Sequence, residues 1–543
     1  MMNTLHLTDT QQDIQTAAAI LREGGLVAMP TETVYGLAAN ALDGDAVRRI
    51  FKAKGRPMDN PLIVHVAEVS DIDRLHLVSD FPAAAQRLAD AFWPGPLTII
   101  LPKGDVIPNE VSAGLDTVAI RIPSHPVAHR LMAVSGLALA APSANTSGKP
   151  SPTTAQHVIH DMDGKIEAIL DGGNCSVGVE STVITLAADV PRILRPGLIT
   201  REDIESVIGP VEVDKAVLSQ LERNETASSP GMKYKHYAPR AKVILLRGGT
   251  EQYITYVNRC ARRGAMIAAM CYDEDRERLT APTVSLGRRS DEKDQAQRLF
   301  AALREVDMLP VETVVYAPCP KAQGVGMALY NRLIRAAAFE VIDLPMKRIV
   351  GLTGQTGAGK TEVAGMLRTL GATVISADAA AREVVTEPEV RAQLCAAFGD
   401  ILSPDGSLDR AALARIAFSD ASKLRRLNAI THPRIIRRML DAASNAAGEI
   451  AVFDAPQLFE AEADAYCDTI VCVLADRERR IARLTARDGL SRDLIELRMS
   501  AQYDEAFFRS LCDAVIENNG TAADLKEQVA ALYERLVADE QSG

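Results

Sequence analysis

The sequence predicts an α/β fold built from several domains. Short apolar runs alternate with amphipathic helical patterns along the whole chain, as in the apolar run 26–29, the predicted helix near 46–54 and the apolar run 62–64. The chain has 543 residues, too many for one hydrophobic core, and the length suggests about three domains. A phosphate-binding motif begins only at residue 354, so a long stretch of chain before it belongs to something else.

The bulk composition is that of an ordinary globular protein with a net charge of −11. Neither the part before the phosphate-binding motif nor the part after it has an excess of basic residues, so stable non-specific nucleic-acid binding is not expected. The eight cysteines include no C-x-x-C pair and are expected to be reduced thiols. The N-terminus has no secretory pattern, and the longest apolar run, 131–142, is too short to span a membrane. We therefore predict a cytoplasmic protein.

Residues 351–361 read GLTGQTGAGKT and contain the pattern G-x-x-x-x-G-K-[ST]. The apolar pair 349–350 precedes this P-loop, and a predicted helix over 362–370 follows it. Backbone amides at a helix N-terminus, with Lys360 beside them, form a site for nucleotide phosphates. Thr361 is the expected hydroxyl ligand of a metal ion.

The part of the chain from 346 onwards favours a small-molecule kinase. It lacks the N-K-x-D signature of GTPases, and it is small for a mechanical ATPase. A predicted strand over 373–375 leads to Ser376 and Asp378, near the place where a P-loop kinase receives its acceptor hydroxyl. A carboxylate there orients or deprotonates the hydroxyl, while Lys360 and Mg²⁺ neutralise the phosphoryl group transferred from ATP.

This part resembles the dephospho-CoA kinase family. After the P-loop the resemblance is carried, in order, by ISADAAAREVV, LNAITHPRI, VFDAPQLFEAEADAYCD, RIARLTARDGLS, MSAQ and DAVIENNG. It implies ATP-dependent phosphorylation of the 3′-hydroxyl of dephospho-CoA, with Asp378 as the base and Asp454 as a second carboxylate near Mg²⁺. The ATP-binding residues it implies are Gly354, Gly357, Ala358, Gly359, Lys360, Thr361 and Arg483, with Arg487 as a second arginine of a closing lid.

Three departures from that family stand out. Ser376 replaces a usual acidic residue, the interior of the P-loop reads QTGA, and Arg480 stands where the family has glutamine. Arg483 and Arg487 are four residues apart on a predicted helix, so a solvated helix face is the alternative to a lid. The pair His432-Pro433 is predicted to start a helix rather than to be catalytic.

The first 345 residues concentrate Gly, Pro, Ser and Thr at the ends of predicted strands. The clusters lie at 30–36, 52–57, 60–62, 93–98, 141–145, 178–182 and 194–197. They predict short turns that display hydroxyl groups, with Lys54, Arg56, Arg121 and Arg195 as fixed cations. Ordinary surface turns explain one or two such clusters, whereas the whole set favours a pocket for an anionic small molecule.

These clusters resemble the YrdC-like family. The segments SPGMKYKHYAP (229–239) and GVGMALYNRLIRAA (324–337) extend the resemblance to the long form of L-threonylcarbamoyladenylate synthase. That family condenses L-threonine, bicarbonate and ATP into threonylcarbamoyl-AMP and pyrophosphate, and a tRNA threonylcarbamoyl-transfer complex uses the product. The resemblance implies threonine-side positions at Thr33, His65, Arg121, Ala141 and Ser181. It implies ATP-side positions at Lys54, Arg56, Asn60, Thr117, Ser143, Ser151, Arg195 and Tyr237, with Arg56 also acting in catalysis.

We therefore predict four segments: a YrdC-like domain (1–210), a linker or lid (211–240), a Rossmann-like α/β/α domain (241–345) and a P-loop kinase α/β/α domain with a parallel sheet (346–543). The linker is either a tether or a lid in which Tyr237 covers the ligand. The domain 241–345 lacks a glycine-rich fingerprint, so a structural or regulatory role is expected for it. We expect the chain as a whole to be a bifunctional enzyme. The alternative is an active kinase with an RNA-binding or regulatory YrdC-like module.

Overall fold

The computed structural model describes residues 3–217, 239–399, 401–403 and 407–538. They fall into two compact units, Met1–Arg247 with Met266–Ile342 and Gly248–Ala265 with Asp343–Gly543. The predicted α/β class is confirmed, because three sheets of eleven, five and five strands alternate with helices along the chain. Among the described residues, no helix is both long and apolar enough to cross a membrane.

The first sheet is mixed and has the strand order β1-β8-β2-β3-β7-β4-β6-β5-β9-β10-β11. Its central strands are buried on both faces, which explains why β5 reads as the continuous apolar run LTIILP. Strands β4 and β6 are parallel, and His65 pairs with Arg121 at their carboxyl ends. The strands are β1 (Leu5–Leu7), β2 (Val27–Met29), β3 (Gly36–Asn40), β4 (Ile63–His65), β5 (Leu97–Pro102), β6 (Thr117–Arg121), β7 (Leu139–Ala140), β8 (Ala168–Leu170), β9 (Thr182–Thr185), β10 (Arg192–Arg195) and β11 (Glu212–Val213). The helices are α1 (Gln11–Arg22), α2 (Gly44–Lys54), α3 (Ser70–Arg74), α4 (Ala83–Phe92), α5 (Asn109–Ser112), α6 (Pro126–Ser135), α7 (Ala155–Met162) and α8 (Arg201–Ile208).

The second sheet belongs to the same compact unit and has the order β14-β13-β15-β12-β16. Its hydrophobic core also takes in Val34 and Val179, which lie in two of the turn clusters of the first part. The Rossmann-like part and the YrdC-like part therefore share a core. The strands are β12 (Lys242–Arg247), β13 (Ile267–Cys271), β14 (Thr283–Ser285), β15 (Val314–Pro318) and β16 (Val341–Asp343), and the helices are α9 (Thr250–Arg262), α10 (Glu292–Asp307) and α11 (Gly326–Ala336).

The third sheet has the order β18-β19-β17-β20-β21, and its strand pairs are parallel. The P-loop follows β17, the central strand, where the order of the sheet reverses direction and α/β proteins bind their ligands. The strands are β17 (Arg348–Gly354), β18 (Thr373–Ser376), β19 (Ile450–Asp454), β20 (Thr469–Leu474) and β21 (Ala514–Glu517). The helices are α12 (Lys360–Thr369), α13 (Ala377–Val384), α14 (Pro388–Phe398), α15 (Arg410–Ala417), α16 (Ala421–Ser444), α17 (Arg477–Asp488), α18 (Arg492–Ser500), α19 (Glu505–Leu511) and α20 (Ala522–Ala538).

The prediction that His432-Pro433 starts a helix is wrong, because Pro433 lies inside α16. Proline cannot donate a hydrogen bond to the carbonyl four residues earlier, which normally ends or kinks a helix. Here Ile436 and Met439, one and two turns after the proline, are buried in a hydrophobic core. Tertiary packing therefore outweighs the local cost of the proline.

Helix α9 belongs to the second compact unit, although it follows β12 in the chain. Its Arg259 side chain is 8% exposed, and its Nη1 lies 3.1 Å from Oδ1 of Asp513. Two backbone carbonyls, those of Cys467 and Asp468, accept further hydrogen bonds from Arg259. Tyr256 packs edge-on against Tyr466, with the ring centroids 5.2 Å apart. The domain boundaries proposed from sequence stay a prediction, since compact units need not coincide with evolutionary domains.

We expect Arg259→Met to lower the free energy of unfolding of the second unit by about 3 kcal/mol, because it leaves a partly buried Asp513 carboxylate without its main partner. Arg262 is the matched control, since it lies on the same helix and pairs with the same Asp513 at 3.4 Å, but its side chain is 55% exposed. Arg262→Met should cost less than about 1 kcal/mol. Calorimetric unfolding of the full-length variants measures both values, and equal losses would contradict the prediction.

Candidate active sites

The P-loop ends at Gly359, which caps helix α12 with a φ of 100°. A Cβ at this position would lie 2.1 Å from the side-chain nitrogen of Asn518. A residue with a side chain would therefore clash with Asn518, and it would also be strained by the positive φ. No described side chain caps the first turn of α12. The N–H of Glu362 donates to the carbonyl of Gly359. Those of Lys360 and Thr361, which precede it, are the ones that can bind an anion, and the helix dipole favours negative charge there.

A cleft lies at the P-loop. It brings together most residues predicted for the kinase site: Gly354, Gly357, Gly359, Lys360, Thr361, Asp378, Arg483 and Arg487. Ala358 is buried, and its carbonyl accepts a hydrogen bond from Arg483 at 3.2 Å. Asp454 lies at the end of β19, and one of its carboxylate oxygens accepts a hydrogen bond from Nζ of Lys360. A lysine, a hydroxyl and two carboxylates therefore surround the open helix terminus.

Ser376, the departure from the family pattern, has a structural role in this fold. It is the N-cap of α13, and its hydroxyl accepts a hydrogen bond from the backbone N–H of Ala379 at 3.3 Å. Serine at this position satisfies one of the free donors of the helix, as an acidic residue also would. Asp378 lies two residues later on an exposed surface of α13 and lines the cleft.

Three residues that support the P-loop were not among the predicted site residues. Asn518, at the end of β21, donates to the carbonyl of Ala358 at 2.8 Å and accepts from Arg483 at 3.2 Å. Gln502 accepts a hydrogen bond from the backbone N–H of Thr356 at 2.9 Å. Arg480 donates to the carbonyl of Thr356 at 2.9 Å. Asn518 and Gln502 lie in the family-like segments DAVIENNG and MSAQ. Their contacts with the P-loop, more than a hundred residues away, cannot be predicted from the sequence.

Arg480 and Gln355, which both depart from the family pattern, are joined by a hydrogen bond. Arg480 is 5% exposed, and its Nη1 donates to Oε1 of Gln355 at 2.7 Å. The unusual P-loop interior and the arginine in place of a glutamine thus form a pair. Another arginine of α17, Arg487, is 64% exposed and binds the neighbouring Asp488 at 2.7 Å. Its side chain lines the cleft and is not buried in it.

The residues at this site fit a magnesium ion that arrives with ATP. The described residues include no group of three or more His, Cys, Asp or Glu side chains arranged for a metal. Mg²⁺ normally takes only one or two protein groups, together with phosphate oxygens and water. The hydroxyl of Thr361 and the carboxylate of Asp454, which is 17% exposed, offer oxygen ligands of that kind.

The first unit contains a cleft at the carboxyl ends of β4 and β6. We call it the first cleft, and we call the P-loop cleft of the second unit the second cleft. It brings together eight of the predicted residues: Thr33, Arg56, His65, Arg121, Ala141, Ser143, Ser181 and Arg195. Lys54, Asn60, Thr117 and Ser151 do not line the cleft, and Tyr237 lies outside the described residues. Thr117 begins β6 whereas Arg121 ends it, so the two residues lie at opposite ends of the strand.

Arg121 is held in place by an acidic partner that the sequence analysis did not select. Its Nη2 lies 2.7 Å from Oε1 of Glu32, and the two side chains are 4% and 5% exposed. The second oxygen of Glu32 accepts the backbone N–H of Ser124 at 3.2 Å. This buried pair fixes the guanidinium at the cleft and leaves Nη1 without a protein partner in the described chain. Glu32 stands inside the PTETVYG cluster, which was its only signal.

Arg195 and Lys54 position the walls of the same cleft. Arg195 donates from Nε to the carbonyl of Ser181 and from Nη2 to its hydroxyl, both at 3.1 Å. Lys54 is 3% exposed, and its Nζ donates to the carbonyls of Ser143 and, at 2.6 Å, Asn145. Burial, reinforced by the charge of Arg56, holds the pKa of Lys54 well below its ordinary value. Lys54 therefore supports the loop that carries Ser143.

Asn60 and Ser151 lie behind the cleft. The amide nitrogen and oxygen of Asn60 are buried and have no hydrogen-bond partner among the described residues. Such buried groups normally have hydrogen-bond partners. Ser151 donates to Oε1 of Glu180 at 2.7 Å, and Glu180 lines the cleft.

His65 is a neutral imidazole in this fold. Burial, together with the charge of Arg121, lowers its pKa to about 3, and its Nδ1 lies 3.2 Å from the carbonyl of Ile63. Among the lining residues, the three arginines, Lys149, the hydroxyl groups and the carboxylate of Glu180 therefore provide the polar chemistry, and His65 is not a ready general base at neutral pH.

The depressed pKa of His65 predicts a pH dependence of stability. The unfolded chain takes up a proton near pH 6.5 while folded His65 does not, so the folded state loses stability as the pH falls below 6.5. At pH 5 the loss from this residue is about 2 kcal/mol relative to pH 7. Urea unfolding followed by the fluorescence of Trp93, the one tryptophan, reports on this unit. His65→Gln should flatten the dependence, the exposed His160→Gln should not, and an unchanged slope in His65→Gln would refute the prediction.

The geometry defines two kinds of cleft: a P-loop cleft on a parallel sheet, and a cleft of fixed arginines and hydroxyls on a mixed sheet. Three family models match consecutive parts of the chain: "Telomere recombination" over residues 19–197, "Threonylcarbamoyl-AMP synthase, C-terminal domain" over 199–338 and "Dephospho-CoA kinase" over 348–524.

Relatives cover both parts. The chain is 48% identical over 341 residues to the threonylcarbamoyl-AMP synthase of Bacillus subtilis, which is 62% of this chain and 97% of the relative. It is 44% identical over 196 residues to the dephospho-CoA kinase of Geobacter metallireducens, which is 35% of this chain and 96% of the relative. The crystal structure of P. abyssi Sua5 with L-threonine matches with 43% identity and a TM-score of 0.58, over 63% of this chain and 99% of that one. The chain belongs to the threonylcarbamoyl-AMP synthase family in its first part and to the dephospho-CoA kinase family in its last.

Proposed function

We propose that this chain is a bifunctional cytoplasmic enzyme that makes threonylcarbamoyl-AMP at the first cleft and coenzyme A at the second. The observation that carries the proposal is the pair of separate clefts. One gathers three arginines and several hydroxyls on the first unit, and the other gathers Lys360, Thr361 and Asp378 around an open helix terminus. The domain boundaries near 210, 240 and 345 belong to this proposal, as does delivery of the first product to a tRNA threonylcarbamoyl-transfer complex.

At the first cleft, L-threonine and bicarbonate give N-carboxy-threonine with loss of water. A carboxylate oxygen of that intermediate forms a bond to the α-phosphorus of ATP, and the bond from this phosphorus to the bridging oxygen of pyrophosphate breaks. The reaction needs positioned charge more than a strong base, which suits a cleft whose histidine is neutral. Arg121 is assigned to the threonine carboxylate because its Nη1 remains available. Arg56 and Arg195 are assigned to the phosphates.

At the second cleft, the 3′-hydroxyl oxygen of dephospho-CoA attacks the γ-phosphorus of ATP and ADP leaves. Asp378 is assigned to accept the hydroxyl proton, since it is an exposed carboxylate on the cleft wall. Lys360 and the N–H groups of α12 hold the phosphates. Thr361 and Asp454 would hold Mg²⁺, which would neutralise part of the phosphate charge. Arg483, fixed by Asn518, and Arg487 are assigned to the phosphates on the lid side.

The test is to assay the purified full-length chain for two reactions. Pyrophosphate release that requires both threonine and bicarbonate supports the first activity, and conversion of dephospho-CoA to CoA with ATP supports the second. Titration with tRNA at physiological salt tests the alternative of an RNA-binding module. Tight tRNA binding without threonine-dependent pyrophosphate release would overturn the first assignment, and absence of CoA formation would overturn the second.

A further inference from the structure

Arg332 on helix α11 is the largest fully buried side chain of the described chain, with 0% exposure. It comes from the Rossmann-like part, yet its partners lie in the part that forms the first cleft. Its Nε donates to Oε2 of Glu180 at 3.0 Å, and its Nη1 donates to the carbonyl of Pro196. A buried guanidinium is costly unless it is paired and hydrogen-bonded, and these contacts meet that condition.

Glu180 links Arg332 to the cleft. Glu180 lines the cleft, and its other carboxylate oxygen accepts the hydroxyl of Ser151 at 2.7 Å. Burial raises the pKa of Glu180, but the charges of Arg332 and Arg195 outweigh burial and lower the pKa below its ordinary value. Glu180 is therefore ionised at neutral pH and accepts hydrogen bonds from both Ser151 and Arg332.

The second contact holds the neighbouring segment of the cleft lining, which carries Arg195. Pro196 directly follows Arg195, which lines the cleft. At the next residue, Gly197, the two segments touch, because a Cβ there would lie 2.4 Å from the backbone nitrogen of Thr182. One guanidinium thus binds both segments, 180–182 and 195–197, at the point where they meet.

We propose that Arg332 is a positioning residue for the synthase reaction, because it fixes Glu180 at the cleft directly and, through Pro196, fixes Arg195 at the nucleotide side of the cleft. The inference rests on the proposed function of that cleft. It gives the Rossmann-like part a role in the reaction: this part supplies the buried cation that fixes the geometry of the site.

The test compares full-length variants in the threonine-dependent pyrophosphate assay. Arg332→Met should lower kcat at least tenfold and raise the KM for ATP, while the Kd for threonine, measured by calorimetry, stays within twofold. Arg332→Lys keeps the charge and should recover part of kcat. The double variant Glu180→Gln/Arg332→Met removes both buried charges, so it should unfold at a higher temperature than Arg332→Met but remain as slow.

Arg335→Met is the matched control. Arg335 is also buried on α11, 7% exposed, and it donates to the carbonyl of Ala216, which does not line the cleft. It should keep kcat and the KM for ATP within twofold. An active wild type with an equally active, folded Arg332→Met or double variant would overturn the inference alone. Equal losses in Arg335→Met and Arg332→Met would also overturn it, by showing a general packing effect. A wild-type chain without pyrophosphate release would overturn the proposed reaction and this inference with it.

Discussion

Replacing Lys360 with alanine is expected to lower the rate of CoA formation by about 10³-fold and to leave threonine-dependent pyrophosphate release unchanged. Lys360 is the side-chain cation at the open N-terminus of α12, where phosphate charge has to be neutralised in the transition state. Its Nζ also donates to Asp454, a carboxylate assigned to Mg²⁺. The substitution therefore removes a phosphate ligand and the partner of Asp454 together.

Arg368→Ala provides the control, because Arg368 is an exposed residue in the last turn of the same helix. The Arg368→Ala variant also loses one positive charge, but far from the cleft. Its rate of CoA formation should therefore stay within twofold of the wild-type rate. Steady-state assays of both reactions on each full-length variant give the comparison. If the folded Lys360→Ala chain lost both activities, independent sites would be wrong; if it kept CoA formation, the P-loop assignment would be wrong.

Arg121→Met is expected to have the largest effect on the first unit, in both stability and activity. It leaves the Glu32 carboxylate, 5% exposed, without its charged partner, and breaking such a buried pair costs about 3 kcal/mol or more. The substitution also removes the guanidinium assigned to the threonine carboxylate, so the Kd for threonine should rise at least tenfold. Urea unfolding followed by the fluorescence of Trp93 measures the first effect, and calorimetry measures the second.

The double variant Glu32→Gln/Arg121→Met separates the two effects. It removes both charges, so it should recover much of the stability and none of the threonine affinity. Arg130→Met is the control, since Arg130 is 43% exposed and lies 3.7 Å from Asp9, and its loss should cost less than about 1 kcal/mol. Recovery of threonine binding in the double variant would contradict the assignment of Arg121 to the threonine carboxylate.

Local patterns were enough to predict the α/β class and several of the strands and helices that frame the sites. The P-loop, the strand leading to Asp378 and the helix predicted near 46–54 lie close to where the sequence placed them. Pro433 shows the limit of local rules, because burial of Ile436 and Met439 keeps α16 continuous through a residue that ends most helices. Helix α9 shows another limit, since its buried contact with Asp513 joins residues far apart in the chain.

The sequence by itself determined the two families, the order of the parts and the residues of both clefts that lie within short motifs. Those motifs can be recognised in the sequence because a P-loop or a turn at the end of a strand needs particular residues at fixed spacing. Only the tertiary structure decided which distant side chains hold them: Glu32 for Arg121, Asn518 for the P-loop, Arg480 for Gln355 and Arg332 for Glu180. The physical reason is that a buried charge or amide must find a partner wherever the fold places one, and the chain can reach that partner from any distance in sequence.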